Sequence, residues 1–199
     1  LLDGSSPTLL VMPLCEGDLF DMVHEYDLTA TQLLCIGFKL CTAIKSLPFP
    51  HGDFKLENVL YTFKNNVVEL FITDFAPFHK TPMYCDFEAM STPQNNKPAR
   101  ENDVYSFGIC LFALFHGAHP YGNLFTESGD CKFDMDKMAA ALKDIDTREV
   151  AKTSNIYLED FEQLYDVVSA CIQFKRGDRP SFIDVHVYLK EIILLESYE

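Results

Sequence analysis

The residues between positions 29 and 48 show an apolar repeat of three and four, which predicts a long amphipathic helix. The repeating positions are Leu33, Leu34, Ile36, Gly37, Leu40, Cys41, Ile44 and Leu47. Thr29 is a suitable N-cap for this helix, and Pro48 predicts its end. Comparable patterns predict helices over residues 18–23, 104–116, 135–143, 158–174 and 182–195.

Short apolar runs bounded by turn residues predict strands. Residues 8–14 suit a buried strand that ends near Pro13, because proline cannot donate to a β-ladder. Residues 59–63 and 67–73 flank a polar turn and predict a β-hairpin. Residues 77–101 show little periodicity, which predicts an extended loop. This order of elements predicts an α+β fold that is mostly α, with no linker that would divide it.

The composition limits the compartment and the class of partner. The chain has 30 acidic and 16 basic residues, and its net charge is −14. This charge repels nucleic acid and membrane surfaces and favours basic partners, although it also serves solubility alone. The seven cysteines are scattered without a CxxC pair, which predicts reduced thiols in an intracellular protein of the cytoplasm or nucleus. No apolar run reaches the roughly 18 to 20 residues of a membrane span.

Charged and oxygen-bearing side chains are concentrated after two of the apolar segments. Residues 51–58 (HGDFKLEN) place Asp53, Lys55 and Asn58 in one short loop, and Asp74 follows the second hairpin strand. Asn58 and Asp74, at the ends of paired strands, suit Mg²⁺, which prefers oxygen ligands. Asp53 and Lys55 beside this cation suit phosphoryl transfer, in which catalysis rests on positioning and charge neutralisation. Taken alone, Asp53 could instead cap a turn and Lys55 could be a solvated side chain.

Four motifs, in order along the chain, resemble the C-terminal lobe of the eukaryotic-type protein kinases. Residues 51–58 are similar to the catalytic loop HRDxKxxN, and residues 74–76 (DFA) to the metal-binding motif DFG. Residues 103–108 (DVYSFG) are similar to the start of the helix that anchors the lobe, and residues 179–181 (RPS) to a turn near its C-terminus. The segment KLENVLY is also similar to kinases of large DNA viruses, the baculovirus serine/threonine kinase most of all.

The resemblance implies a kinase-like C-terminal lobe whose short β-hairpin carries the metal site. Asp53 would be the catalytic base, and Lys55 would neutralise charge on the transferred phosphate and indicate Ser/Thr substrates. Asn58 and Asp74 would bind Mg²⁺, and ATP would be the phosphate donor.

The resemblance also implies a nucleotide contact near the start of the chain, where residues 9–19 match the hinge of the kinase fold. Met12 would be the gatekeeper, and the backbone of Pro13 and Cys15 would face adenine. Asp18 would accept a hydrogen bond from the ribose.

Two further residues are expected to be structural. His51 would pack near Phe75, and Asp103 would hold the backbone of the catalytic loop. In the family, an arginine at the position of Arg179 pairs with a glutamate at the end of the activation segment. Residues 92–94 (TPQ) match that place here, so we expect the ion pair to be lost.

Three departures from the family pattern bear on activity. Gly52 replaces an arginine that pairs with an activation-loop phosphate, so control by such a phosphate is not expected. Ala76 replaces a glycine of the metal motif and restricts the backbone, which predicts impairment. The Gly-rich loop, lysine strand and glutamate helix of the N-lobe have no counterpart here. We therefore expect one domain in which residues 1–14 are a remnant of the N-lobe and hinge, residues 15–199 form the C-lobe, and the fragment alone is inactive.

Three functions stay open. The first is a serine/threonine kinase completed by an N-lobe, acting on a protein that the acidic charge would favour as basic. Glu57 matches a position that contacts a substrate arginine in basophilic relatives, or it has no role. The second is a truncated kinase-like protein that docks on another kinase and regulates it. The third is a pseudokinase scaffold. For a viral protein the compartment would be that of the host cell.

Overall fold

The computed structural model describes residues 11–75, 81–91, 98–120 and 162–196. These ranges contain β1 (Gly17–Asp18), α1 (Leu19–Glu25), α2 (Ala30–Ser46), β2 (Val59–Lys64), β3 (Val67–Ile72), α3 (Phe87–Ser91), α4 (Arg100–His116), α5 (Glu162–Cys171) and α6 (Phe182–Glu196). Short 3₁₀ turns cover Leu56–Asn58, Pro82–Tyr84 and Arg176–Asp178. This part of the chain is mostly helical with one small antiparallel sheet, as expected for the α+β class.

Helix α2 is the predicted amphipathic helix, and Thr29 is its N-cap. The Thr29 hydroxyl accepts a hydrogen bond from the Gln32 N–H, and the Gln32 side chain accepts one from the Thr29 N–H. After Ser46 the backbone becomes extended ahead of Pro48, where a helix cannot continue. The buried stripe of α2 packs against α4 and α6, so this helix joins the two halves of the core.

Helix α4 lies at the centre of the core, because every side chain from Asn102 to His116 is buried. It begins at Arg100, four residues before the predicted start at position 104, because its first turn consists of polar residues that an apolar repeat does not detect. It ends at Gly117, whose left-handed φ of +62° suits a glycine C-cap. A Cβ on Gly108 would lie only 2.6 Å from Cβ of Cys171, so α4 and α5 approach more closely here than a larger residue allows.

The predicted hairpin is confirmed as β2 and β3, which pair antiparallel from Val59 opposite Ile72 to Lys64 opposite Val67. Asn65 and Asn66 form the turn, and both have positive φ, as a two-residue hairpin turn of this twist requires. The short strand β1 adds to the other edge of β2. The open end of the hairpin faces the 3₁₀ turn at Leu56–Asn58, which brings residues 51–58 and residue 74 to one place.

The predicted strand at residues 8–14 is wrong for the residues that the structure describes there. Residues 11–14 have no regular structure, and the side chains of Val11 and Leu14 are 82% and 96% exposed. A strand needs a neighbour for its backbone groups, and none of the described strands pairs with this segment. Residues 8–10 lie outside the described ranges.

The extended loop predicted at residues 77–101 is wrong for much of its described part, because short helical turns do not need an apolar repeat to form. Its described residues include the 3₁₀ turn Pro82–Tyr84, helix α3 and the first residues of α4. The helices predicted at 158–174 and 182–195 are α5 and α6 within the described ranges, whereas the helix at 135–143 lies outside them.

The described cysteines are free thiols, as the scattered spacing predicted. Burial raises the pKa of Cys41 to about 12. Of the helices that the structure describes, none has the length and apolar character that crossing a membrane requires.

Candidate active site

Asp103 of helix α4 forms hydrogen bonds with the backbone of residues 51 and 52. The Asp103 carboxylate accepts the N–H of His51 at 2.7 Å and the N–H of Gly52 at 2.9 Å. Burial raises the pKa of the Asp103 carboxyl, and the two N–H donors oppose that rise. Gly52 has a φ of +87°, a left-handed value that glycine adopts without strain. Asp103 therefore has the structural role that the sequence predicted.

His51 connects the loop of residues 51–58 to the end of strand β3. Its Nδ1 accepts the N–H of Asp53 at 3.3 Å, and its Nε2 lies 2.9 Å from the carbonyl oxygen of Thr73. Because a backbone N–H can only donate, the proton of the imidazole is on Nε2, which donates to Thr73. The ring also lies against Phe75, with centroids 5.0 Å apart, as predicted. One side chain thereby contacts the backbone of Asp53 and both neighbours of Asp74.

Asp53 and Lys55 both form hydrogen bonds with Thr81. The Asp53 carboxylate, 5% exposed as a residue, accepts the Thr81 N–H at 2.7 Å through Oδ1. Lys55 Nζ lies 3.7 Å from the other oxygen, Oδ2, and donates to the Thr81 hydroxyl at 2.8 Å. This arrangement fixes one carboxylate oxygen and leaves Oδ2 beside an ammonium group. A hydroxyl placed at Oδ2 would find a proton acceptor and a positive charge together.

Sequence reasoning missed Thr81. The residue lies in a segment without periodicity, and its role depends on a contact across 28 positions to Asp53. The only local signal is the sequence Thr81-Pro82 itself, which marks a turn and not a partner.

Asn58 and Asp74 lie at the same end of the hairpin. The Asn58 carbonyl accepts the N–H of Thr73 at 3.0 Å, one residue before Asp74. The Asn58 side chain donates through Nδ2 to the Asp53 carbonyl at 2.8 Å, which leaves its amide oxygen as an available ligand. Asp74 is exposed and has a left-handed φ of +58°, an uncommon value that marks a residue held by its surroundings.

The donor set of Asn58 and Asp74 fits Mg²⁺, which protein sites commonly hold with one or two side-chain oxygens, waters and substrate phosphates. Within the described residues there is no cluster of three His, Cys, Asp or Glu side chains able to hold a metal by itself. These two residues would therefore need waters or phosphate oxygens to complete the coordination.

The expected loss of an ion pair at Arg179 is wrong. Arg179 Nη1 lies 2.6 Å from Asp86 Oδ2, and both side chains are 1% exposed. Arg176 also binds Asp86, at 2.7 Å through Nε and 2.9 Å through Nη2, and it contacts Glu88 at 3.2 Å. Residues 92–94, where the partner was expected, lie outside the described ranges.

Asp86 thus carries the charge that balances two arginines. Burial alone would raise the pKa of the Asp86 carboxyl, but the hydrogen bonds and charges of Arg176 and Arg179 lower it. The segment that bears Thr81 is anchored to the helical core through this cluster.

A family model described as protein tyrosine and serine/threonine kinase matches residues 2–189. The chain belongs to this protein kinase family. The family resemblance of the sequence motifs is therefore confirmed.

Similar proteins include kinases of several kinds. Calcium-dependent protein kinase SK5 of Glycine max is 31% identical over 134 residues, which cover 60% of this chain and 26% of that protein. Serine/threonine-protein kinase 1 of Lymantria dispar multicapsid nuclear polyhedrosis virus is 26% identical over 196 residues, covering 93% of this chain and 68% of that protein. An inactive leucine-rich repeat receptor-like serine/threonine-protein kinase of Arabidopsis thaliana is 27% identical over 200 residues, which cover 88% of this chain and 29% of that protein. This protein kinase chain thus spans about a quarter of the plant calcium-dependent relatives that it matches.

The residues predicted to contact the nucleotide lie ahead of helix α1 of this kinase chain. Met12 and Pro13 are exposed and Cys15 is partly exposed, in a segment without regular structure. Asp18 is the N-cap of α1 and accepts the N–H of Asp21 at 2.9 Å through Oδ1. The Asp18 carboxylate keeps acceptor capacity for a ribose contact, and the four nucleotide contacts stay predictions.

Glu57 faces inward in this kinase chain. Its Oε2 is buried without a hydrogen-bond partner among the described residues. Burial raises the pKa of the Tyr84 phenol, and the charges of the nearby Cys110 and Glu57 add to the rise. This orientation favours packing against Tyr84 over a contact with a substrate arginine.

Proposed function

We propose that this chain is the C-terminal lobe of a serine/threonine protein kinase that transfers the γ-phosphate of ATP to a protein hydroxyl. The observation that carries the proposal is the arrangement of Asp53, Lys55 and Thr81. One carboxylate oxygen is fixed by the Thr81 N–H, and the other lies 3.7 Å from Lys55 Nζ. A buried carboxylate held in this way supports a base role over a turn cap.

In the proposed reaction, Asp53 accepts the proton of the substrate hydroxyl through Oδ2. Lys55, held by the Thr81 hydroxyl, neutralises charge on the transferred phosphate. Asn58 and Asp74 would hold Mg²⁺, which supplies charge neutralisation across the phosphate oxygens when bound. His51 fixes the Asp53 end of the site relative to the Asp74 end through its hydrogen bonds to Asp53 and Thr73.

An N-lobe outside this sequence would complete the nucleotide site in the proposed kinase. Residues 1–14 would then be its last remnant, with residues 15–199 forming the C-lobe. Met12 would border the adenine pocket, the backbone of Pro13 and Cys15 would contact adenine, and Asp18 would contact the ribose. The net charge of −14 supports a basic protein as substrate, without a specific contact from Glu57.

Steady-state kinetics of the full natural chain test this proposal. Asp53→Asn keeps the shape of the side chain and removes its basicity, so kcat is expected to fall by roughly 10²- to 10⁴-fold. Asp27→Asn, an exposed carboxylate in the loop before α2, is the matched control and should leave kcat unchanged. Equal rates for Asp53→Asn and the parent would refute the role of Asp53.

A second candidate is a non-catalytic protein that docks on another kinase, or a pseudokinase scaffold. The exposed apolar side chains of Val11, Met12 and Leu14 favour a partner at this segment. One relative is also named as inactive. This candidate predicts that the full chain binds a kinase partner and loses that binding when the three side chains are changed to serine, while Asp53→Asn has no effect. A full chain that transfers phosphate in an Asp53-dependent way would exclude it.

A further inference from the structure

Besides His51, a second aromatic ring contacts Phe75, and it comes from outside residues 51–58. Phe49 meets Phe75 edge to face, with ring centroids 5.8 Å apart and an interplanar angle of 82°. His51 contacts Phe75 with centroids 5.0 Å apart. Phe49 and Phe75 are 51% and 44% exposed, so much of each ring faces solvent. Phe75 therefore depends on two neighbouring rings, one in the catalytic loop and one ahead of it.

The segment that carries Phe49 is stiff and is tied to helix α4 on both sides. Prolines occupy both neighbouring positions, 48 and 50, where they fix φ and restrict the residue before them. Arg100 donates to the carbonyl of Leu47, and Asp103 accepts the N–H of His51. Little conformational freedom is left to lose when the Phe49 ring meets Phe75.

Phe75 directly follows Asp74, whose left-handed backbone needs support from its neighbours. On the N-terminal side of Asp74, Thr73 is fixed by its hydrogen bonds with Asn58 and His51. On the C-terminal side, the contacts that the structure describes are those of the Phe49 and His51 rings with Phe75. We propose that Phe49 is a positioning residue that holds Phe75 against His51 and so keeps the Asp74 carboxylate at the metal-binding end of the hairpin. The role of Asp74 rests on the proposed function, whereas the contact between the rings does not.

The ring contact can be tested by fluorescence, because the 199 residues contain no tryptophan. Phe75→Trp in the full natural chain places a reporter at the contact, and the spectrum of the parent chain serves as the blank. Adding Phe49→Ala is expected to shift Trp emission to longer wavelength and to increase quenching by acrylamide. An edge-to-face pair shifts a two-state equilibrium by about two- to tenfold, so the effect should be of that size.

Two matched variants accompany this experiment. Phe49→Tyr keeps the ring and should restore the emission of the Phe75→Trp chain. Phe63→Ala removes another half-exposed phenylalanine, on strand β2, and should change nothing. Unchanged emission and quenching in Phe49→Ala would overturn the contact, whatever the activity of the chain.

The positioning role is tested by titrating Mg²⁺ in the presence of ADP and following the same fluorescence, which requires no phosphate transfer. Phe49→Ala should weaken Mg²⁺ binding by about two- to tenfold, and Phe49→Tyr should not. Altered emission with unaltered Mg²⁺ affinity would overturn the positioning role. A parent chain without any Mg²⁺ response would contradict the metal site itself, and with it the role of Phe49 toward Asp74. The emission shift would still decide the contact between the rings.

Discussion

At the scale of single residues, the candidate site depends on Thr81 as much as on the charged groups. Its N–H orients Asp53, and its hydroxyl accepts from Lys55. A lysine without an acceptor would sample many rotamers, since its side chain is long and flexible. Thr81 therefore fixes the position of the Lys55 ammonium group.

Thr81→Val is expected to reduce kcat with little change in KM for ATP. The variant keeps the N–H and the branched shape but removes the acceptor for Lys55 Nζ. A hydrogen bond to a charged group contributes about 1.5 to 3 kcal/mol, which corresponds to a roughly 10- to 100-fold lower rate. Thr81→Ser should recover most of the activity in the same assay. A Thr81→Val chain as active as the parent would contradict this role.

At the scale of elements, a cluster of buried charges anchors the segment that carries Thr81, and a close contact between α4 and α5 shapes the core. Asp86 connects the segment before α3 to the 3₁₀ turn before α6 through Arg176 and Arg179. Gly108 allows α4 and α5 to approach. The Asp86 cluster lies far from Asp53 in sequence, yet it anchors the segment that carries Thr81.

Asp86→Asn is expected to lower the free energy of unfolding by about 3 to 5 kcal/mol, because it leaves the buried Arg179 guanidinium without its counter-charge. Urea denaturation of the full chain measures this loss. Glu69→Gln breaks an exposed pair with Lys64 and should cost less than about 1 kcal/mol. Similar losses for the two variants would show that the Asp86 cluster does not anchor the segment.

Gly108→Ala is expected to destabilise the chain by about 1 to 3 kcal/mol, because the new methyl would overlap Cys171 and Ile172. Gly177→Ala is the matched control, since a Cβ there meets nothing within 4 Å. Its effect should stay within about 0.5 kcal/mol. Thermal unfolding of both variants compares them directly, and a neutral Gly108→Ala would contradict the close approach of α4 and α5.

At the scale of the whole molecule, the free energy of unfolding should depend on pH through His119. This residue follows α4 in the chain, and its side chain forms a hydrogen bond with the carbonyl of Met83. Burial lowers the pKa of His119 to about 4 from an unfolded value near 6.5. Between these values the unfolded chain holds the extra proton, so stability is complete above about pH 6.5 and falls as pH approaches 4. The loss should be about 2 to 3 kcal/mol. His119→Gln, which keeps a donor but does not titrate in this range, should lack this part of the pH dependence in urea denaturation. An identical pH profile in both chains would contradict it.

Local signals explain how much of the fold was predictable. The helix capped by Thr29 and the hairpin with its Asn65–Asn66 turn are encoded within each segment, so periodicity and turn residues predict them. The family motif around Asp103 likewise predicted its hydrogen bonds to the backbone of residues 51 and 52, whereas the role of Asp53 stays a prediction. The contact of Thr81 with Asp53 and the pairing of Asp86 with the arginines depend on tertiary placement of an aperiodic segment, which local patterns do not encode. The strand at 8–14 was wrong because a strand is defined by its neighbour, and apolar composition alone does not supply one.

The most direct test of the central claim is phosphate transfer by the full natural chain, followed by analysis of which amino acid is modified. With Mg²⁺, ATP labelled at the γ-phosphate and a basic protein such as protamine, we expect phosphoserine or phosphothreonine in the parent and in Asp27→Asn. Asp53→Asn should leave the product at background. Absence of transfer by the full chain, or transfer that Asp53→Asn does not reduce, would contradict the assignment of Asp53, Lys55 and Thr81 as the catalytic group of a serine/threonine kinase.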